Sequence, residues 1–424
     1  MARGRKWLSR AGMATALMWA AAPVASQNTL ELPGRDRPME LEMEDVFSVG
    51  TFDGAEWETF GEVREVGFDG AGNLYVMDAQ SARMIVVDRN GEFVRMFGTR
   101  GEGPGEWRQP AGAAVLRDGR VVIADMGHRA YQIYDARGDY TGSVKLGGGA
   151  VTMVGDIQAD PRGTGVYNGG GATMISIEAE GGEQPRLPEG RPIRRAPLGE
   201  DAVEEVFYEA WAPPPAEATR RSGGEMSIVS IGGPAVFAPR LHTAVLPDGG
   251  MAVVDSSAWL VKLVGPDGRE RGRVTRPIEA QEVTSRIERR EIERQLAELE
   301  SGQGPRMRIV TDDGSGEREM PEEAVKEMMR ERIQSRGFYP VIPVVQGMAA
   351  AWDGTLWVER SEVDPTEDGP IDLVSADAEY LGTVEAGGPG MPSAFGPDGL
   401  VAYIEEDEME VPVVVVRRLP AELR

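Results

Sequence analysis

Residues 65–98 read EVGFDGAGNLYVMDAQSARMIVVDRNGEFVRMFG, and residues 112–146 read GAAVLRDGRVVIADMGHRAYQIYDARGDYTGSVKL. The two are copies of one pattern. A turn containing glycine leads into an apolar strand that ends in Asp. A polar corner follows, then a second apolar strand that ends in Asp, a glycine turn and a further strand. The landmark pairs Asp78/Asp125, Asp88/Asp135 and Gly91/Gly138 are each 47 residues apart. Alternating β-branched and aromatic runs between Gly and Asp turns predict strands rather than helices.

The pattern recurs downstream. Residues 242–274 carry it with Asp255 and Gly268 as landmarks, and residues 347–384 carry it with Glu359 in place of the first Asp. Residues 393–418 form a truncated copy, and 151–210 hold a degraded one around Gly165-Val-Tyr-Asn168. A repeat of roughly 40–50 residues built from short strands is a blade, because one small sheet cannot bury both faces and must stack on its neighbours around an axis. The count is six blades; seven is the alternative, because 199–240 has no clear pattern. The last copy lacks a strand, so residues 39–63 are expected to complete it and close the ring, removing exposed sheet edges.

Asp125-Met-Gly-His128-Arg129-Ala-Tyr-Gln-Ile-Tyr-Asp135 resembles the NHL-repeat pattern of aspartate, histidine-arginine, aromatic strand and aspartate. Gly98-Thr-Arg-Gly101-Glu-Gly103-Pro104-Gly105-Glu-Trp107 is similar to the connection between blades in that family. The whole layout resembles exported bacterial six-bladed β-propeller proteins. That resemblance implies an all-β fold and carries little about function.

The start of the chain has a separate logic. Arg3, Arg5, Lys6 and Arg10 precede an apolar run from Ala11 to Ala22, and Val24-Ala25-Ser26 places small residues before Gln27. These are the parts of a secretory signal peptide over 1–26, leaving 27–424 as a single propeller domain that is periplasmic or extracellular. The apolar run is shorter than the roughly 20 residues a membrane span requires. Removal of its four basic residues takes the formal charge from −25 to −29. A chain this acidic repels phosphate backbones, which argues against a nucleic-acid partner. A monomer is expected.

Residues 281–300 and 321–336 break the strand pattern. Val283, Ile287, Leu296 and Leu299 share one helical face, with Glu291 on the opposite one, and Ser285 with Glu288 reads as a capping box. Val325, Met328, Met329 and Ile333 form a second apolar stripe. Residues 281–336 are therefore read as a two-helix insertion that caps one propeller face.

The chemistry is restricted. There is no cysteine and only two histidines, His128 and His242. Thiolate metal sites, a cysteine nucleophile and a histidine relay are excluded. Asp78, Asp125 and Asp255 end strands ahead of polar corners, where a carboxylate accepts from following backbone N–H groups, so they are read as structural turn acids. Asp88 and Asp135 ahead of glycine turns are read the same way. Two functions remain. The first is a non-catalytic extracytoplasmic scaffold for a protein, peptide or glycan ligand, without a cofactor. The second resembles the gluconolactonase-like hydrolases and lyases, with carboxylates and an Asn holding one divalent cation such as calcium at the axis. Of the four asparagines, Asn168 is the candidate ligand. No catalytic residue is assigned.

Overall fold

The structure is a computed structural model. It describes residues 28–147, 156–169, 176–178, 190–199, 202–214, 219–223, 226–230, 234–301, 308–310, 317–319, 322–362, 364 and 366–424. The expected signal peptide lies outside the described residues.

Six antiparallel sheets surround one axis. Blade 1 comprises Val63–Phe68, Leu74–Asp78, Arg83–Val87 and Phe93–Phe97, and blade 2 comprises Pro110–Val115, Val121–Asp125, Ala130–Tyr134 and Tyr140–Lys145. The degraded copy is a full blade 3: Ile157–Ala159, Gly165–Asn168, Gly190–Pro197 and Glu205–Trp211. Blade 4 is His242–Val245, Met251–Val254, Leu260–Val264 and Glu270–Thr275, and blade 5 is Val345–Ala350, Leu356–Arg360, Ile371–Val374 and Tyr380–Val384. Blade 6 takes Ala394–Phe395, Leu400–Glu406 and Pro412–Arg418 from the end of the chain and Glu44–Val49 from its beginning. Segment 199–240 adds no seventh blade. Its strands Thr219–Gly223 and Met226–Ser230 join Ser176–Glu178 in a separate three-stranded sheet.

The strands explain the stacking. Second strands such as Leu74–Asp78 and Val121–Asp125 are buried along their whole length, because each face meets a neighbouring blade. Outer strands such as Phe93–Phe97 are largely open to solvent. Apolar clusters accordingly lie between blades. Val66, Phe68, Leu74 and Val76 of blade 1 pack on Leu400, Ala402, Val414 and Val416 of blade 6. Contact between Ala394–Phe395 and Val63–Phe68 completes the ring. The glycine landmarks have a steric reason: Gly91 and Gly138 sit at φ +84° and +90°, a region that side chains with a Cβ rarely enter.

The first described residues form a belt. Thr29–Glu31 runs parallel to the outer strand of blade 4, and Pro38–Met39 parallel to that of blade 5. Glu44–Val49 then pairs antiparallel with Pro412–Arg418. One segment thus covers the edges of three successive blades.

The insertion between blades 4 and 5 contains α1 (Ser285–Glu300) and α2 (Glu322–Ser335). Two expectations are corrected here. The N-cap is Thr284, whose extended backbone (φ −91°, ψ 159°) lets its side chain accept from the Ile287 N–H at 3.5 Å, and Ser285 is already helical. Glu291 is buried rather than solvent-facing, held by Arg294 at 2.8 Å and by Gln295 at 2.6 Å. Leu299 and Val325 are buried, and the two helices touch each other. An Arg290–Asp364 pair at 2.9 Å ties α1 to blade 5.

Candidate functional site

The aspartates at the strand ends are spent on backbone. Asp78 accepts from the N–H groups of Glu62 and Ser81 at 3.2 Å each, and from the Arg83 side chain at 3.1 Å. Asp125 accepts from the N–H groups of Arg108, Gln109 and Gly127 at 2.7, 3.0 and 2.9 Å, and lies 2.9 Å from His128 Nδ1. These bonds hold the Asp125 carboxyl below its ordinary range against its own burial, and the same carboxylate pulls the His128 imidazole upward. Asp255 receives the Trp211 N–H at 2.8 Å and Lys262 Nζ at 2.6 Å. Asp88 and Asp135 make matching turns, each accepting from the N–H groups two and four residues on. Asp78 and Asp125 therefore join the incoming segment to their own blade, and Asp255 joins the end of the outer strand of blade 3 to blade 4.

In blade 5 the assignment of Glu359 to this position is corrected. The register pairs Val345 with Arg360 as it pairs Val63 with Asp78 and Pro110 with Asp125. Glu359 stands one residue earlier, opposite Gly347. The sign of the charge is therefore reversed at this corner. Arg360 pairs with Asp36 of the belt at 2.7 Å.

Asn168 is buried between blades 2 and 3. Its amide donates to the Tyr131 hydroxyl at 3.2 Å, and that hydroxyl donates to Glu204 at 2.8 Å. The structure does not bring it together with the strand-end aspartates. Among the described residues no three His, Asp or Glu side chains converge on one point.

A different cluster does face the axis. The innermost strands place Glu65, Gly112, His242 and Gly347 at one register, opposite Met77, Ala124, Val254 and Glu359. Glu65 and His242 thus belong to one layer. Asp156, just ahead of the inner strand of blade 3, approaches closely enough to repel Glu65. Asp156 and His242 line a pocket of about 160 Å³ together with Gln158, Thr243 and Met348. Gln158 bridges blades 3 and 4, donating to the Thr243 carbonyl at 2.8 Å and accepting the Val245 N–H at 2.9 Å.

Burial first, and the Asp156 charge second, push the Glu65 carboxyl up to about 8. Burial, with Arg240 and Arg191 adding positive charge nearby, lowers the His242 imidazole to about 4. Near neutral pH both groups are uncharged, and each offers a hydrogen-bond donor. Sequence reading missed Glu65 and Asp156. The only available signal was an acid inside a strand otherwise flanked by apolar residues, and nothing local distinguishes that from a solvated edge.

Residues 55–154 match the model of a family described as a 6-bladed beta-propeller. No curated protein matches the chain. Among solved structures, a Bacteroides fragilis protein described only by its export signature shares 10% identity at a TM-score of 0.46, covering 93% of this chain and 100% of its own. A protein of Bacteroides vulgatus, from a family of unknown function, shares 8% identity at a TM-score of 0.49, over 91% and 99% of the two chains. A gluconolactonase of Xanthomonas campestris shares 13% identity at a TM-score of 0.39, over 91% and 98%. At these identities the likeness concerns fold alone.

Proposed function

We propose that this six-bladed β-propeller is a non-catalytic, extracytoplasmic binding protein whose axial pocket holds the end of a neutral, hydroxyl-rich ligand such as a glycan. One arrangement carries the reading: Glu65 and His242 stand at one register of the inner strands, and His242 lines the pocket with Asp156, Gln158 and Thr243. His242, Gln158 and Thr243 offer donors and acceptors that suit hydroxyl groups, whereas an anion would meet Asp156 and the overall negative charge. Export rests on the leader-like first 26 residues. Among the described residues no helix is long and apolar enough to cross a membrane.

The test is calorimetric titration of the mature protein with a panel of neutral oligosaccharides, repeated with His242→Ala and Glu65→Ala. Saturable binding to at least one of them, weakened about tenfold by either change, is the expected outcome. Turnover of sugar lactones that depends on added calcium or manganese would overturn this reading in favour of the hydrolase alternative.

A further inference from the structure

Between blades 4 and 5 lies a second pocket, of about 260 Å³, lined by Leu246, Leu263 and Leu356 with Arg271, Asp248 and Asp353. Its origin is visible by comparison with two other clefts, which the protein fills itself. The buried Tyr75 of blade 1 reaches across to blade 2, where its hydroxyl lies 3.2 Å from the Gly119 carbonyl. The buried Tyr167 of blade 3 reaches blade 4 in the same way and donates to the Gly249 carbonyl at 2.8 Å. Arginines close both sites, with Arg95 donating to the Tyr75 hydroxyl at 2.9 Å and Arg162 to that of Tyr167 at 3.3 Å.

Blade 5 has the matching turn. Gly354 donates its N–H to the carbonyl three residues earlier, as Gly119 and Gly249 do, and all three sit at positive φ. Blade 4 lacks the matching side chains. Tyr75 is flanked across its strands by Gly67 and Val86, and the residue flanked in the same way by Ala244 and Leu263 is Ala252. Arg95 stands opposite Val86, and Gly272 stands opposite Leu263. The ring is thus missing at this cleft, as it is where Val122 of blade 2 and Ala402 of blade 6 hold the same position, while the Arg271 guanidinium and Gly354 both line the space left behind.

We propose that the cleft between blades 4 and 5 binds a small phenol, with its ring where tyrosine lies in the sister clefts and its hydroxyl on the Gly354 carbonyl. An apolar cavity of about 150 Å³ accepts benzene, so this larger one has room for a substituted phenol ring. Leu246 stands where blade 1 has Asp69, whose carboxylate lies 3.2 Å from the Tyr75 hydroxyl, so the wall nearest the ring is apolar while Asp248 and Asp353 line the rest. A neutral ring gains from that exchange. This site is separate from the axial pocket.

The test is calorimetric titration of the mature chain with p-cresol, with toluene in parallel. Saturable p-cresol binding is expected, with toluene about tenfold weaker because it lacks the hydroxyl. Ala252→Tyr supplies the missing side chain and is expected to abolish binding, while His242→Ala leaves it unchanged. Soaking crystals of the unaltered protein with 4-bromophenol reads the site directly, whether or not the tyrosine variant folds. One bromine peak beside Gly354 is expected, with none beside Gly119 or Gly249. Absence of that peak, equal affinity for toluene, or full binding by a folded Ala252→Tyr protein would overturn the proposal.

Discussion

Arg276 and Asp372 meet at 2.7 Å with neither side chain exposed to solvent, joining the end of blade 4 to the third strand of blade 5. The pair is fully partnered. Asp372 also accepts from Trp259 Nε1 at 2.8 Å and from Thr383 Oγ1 at 2.7 Å. Arg276 donates to the Pro33 carbonyl and to Asp36, both at 2.8 Å, and its guanidinium lies 4.4 Å from the centre of the Tyr380 ring. Belt, blade 4 and blade 5 thus share one buried charge cluster, stable only while every member is present.

Removing one member strands the other. Asp372→Ala leaves the Arg276 guanidinium buried with only the partly exposed Asp36 as counter-charge. A loss of about 3–5 kcal/mol is expected from denaturant unfolding. A matched apolar replacement of both residues should cost much less, and equal losses for the single and double variants would contradict this account.

The strand-end acids differ sharply in what they hold. Asp125→Ala frees four backbone N–H groups and the His128 ring in a buried corner. It should cost about 3 kcal/mol in urea melts. Asp135→Ala removes a similar number of bonds at an exposed turn, where water replaces them, so its melting curve should stay close to that of the parent.

Deletion of residues 28–49 should uncover the edges of blades 4, 5 and 6 together. Strand Pro412–Arg418 would lose its outer partner and present an unpaired, valine-rich edge. Light scattering on heating should show aggregation well below the unfolding temperature of the intact protein. A monodisperse truncated protein with an unchanged melting temperature would mean the belt is dispensable.

The axial groups should tilt stability in opposite directions. Glu65 has a folded midpoint of about 8 against an ordinary 4.5, so its protonated form is favoured by folding and stability declines as pH rises through that window. His242 is lowered from 6.5 to about 4, so its neutral form is favoured and stability declines as pH falls through that window. Glu65→Gln should therefore melt higher than the parent at pH about 9 and equally at pH about 4. His242→Gln should show its advantage at pH about 4 and none at pH about 7. Parallel pH curves for parent and variants would remove these groups from the titration.

The fold was legible because its signals are local. Asp78, Asp88 and Gly91 recur 47 residues later as Asp125, Asp135 and Gly138, and each marks a turn whose geometry only a few residue types accept. Blade 3 kept its strands but lost those landmarks, so it was faint in sequence and full in structure. The helices were also legible, but not which face they bury. An acid such as Glu291 reads as solvated until its partners Arg294 and Gln295 are seen to fold around it.

The sequence by itself determined a ring of short-stranded blades, an insertion of two helices, and the absence of thiol chemistry, because periodicity, turn residues and composition act over a few neighbouring positions. Only the tertiary structure decided which residues meet. Glu65 and His242 lie far apart in the chain and share an axial layer through the registers of two different blades. Arg360 rather than Glu359 occupies the strand-end position, because it pairs with Val345 as Asp78 pairs with Val63 and Asp125 with Pro110. Ala252 of blade 4 stands where blades 1 and 3 have Tyr75 and Tyr167, a difference that appears only when equivalent positions are superimposed around the axis.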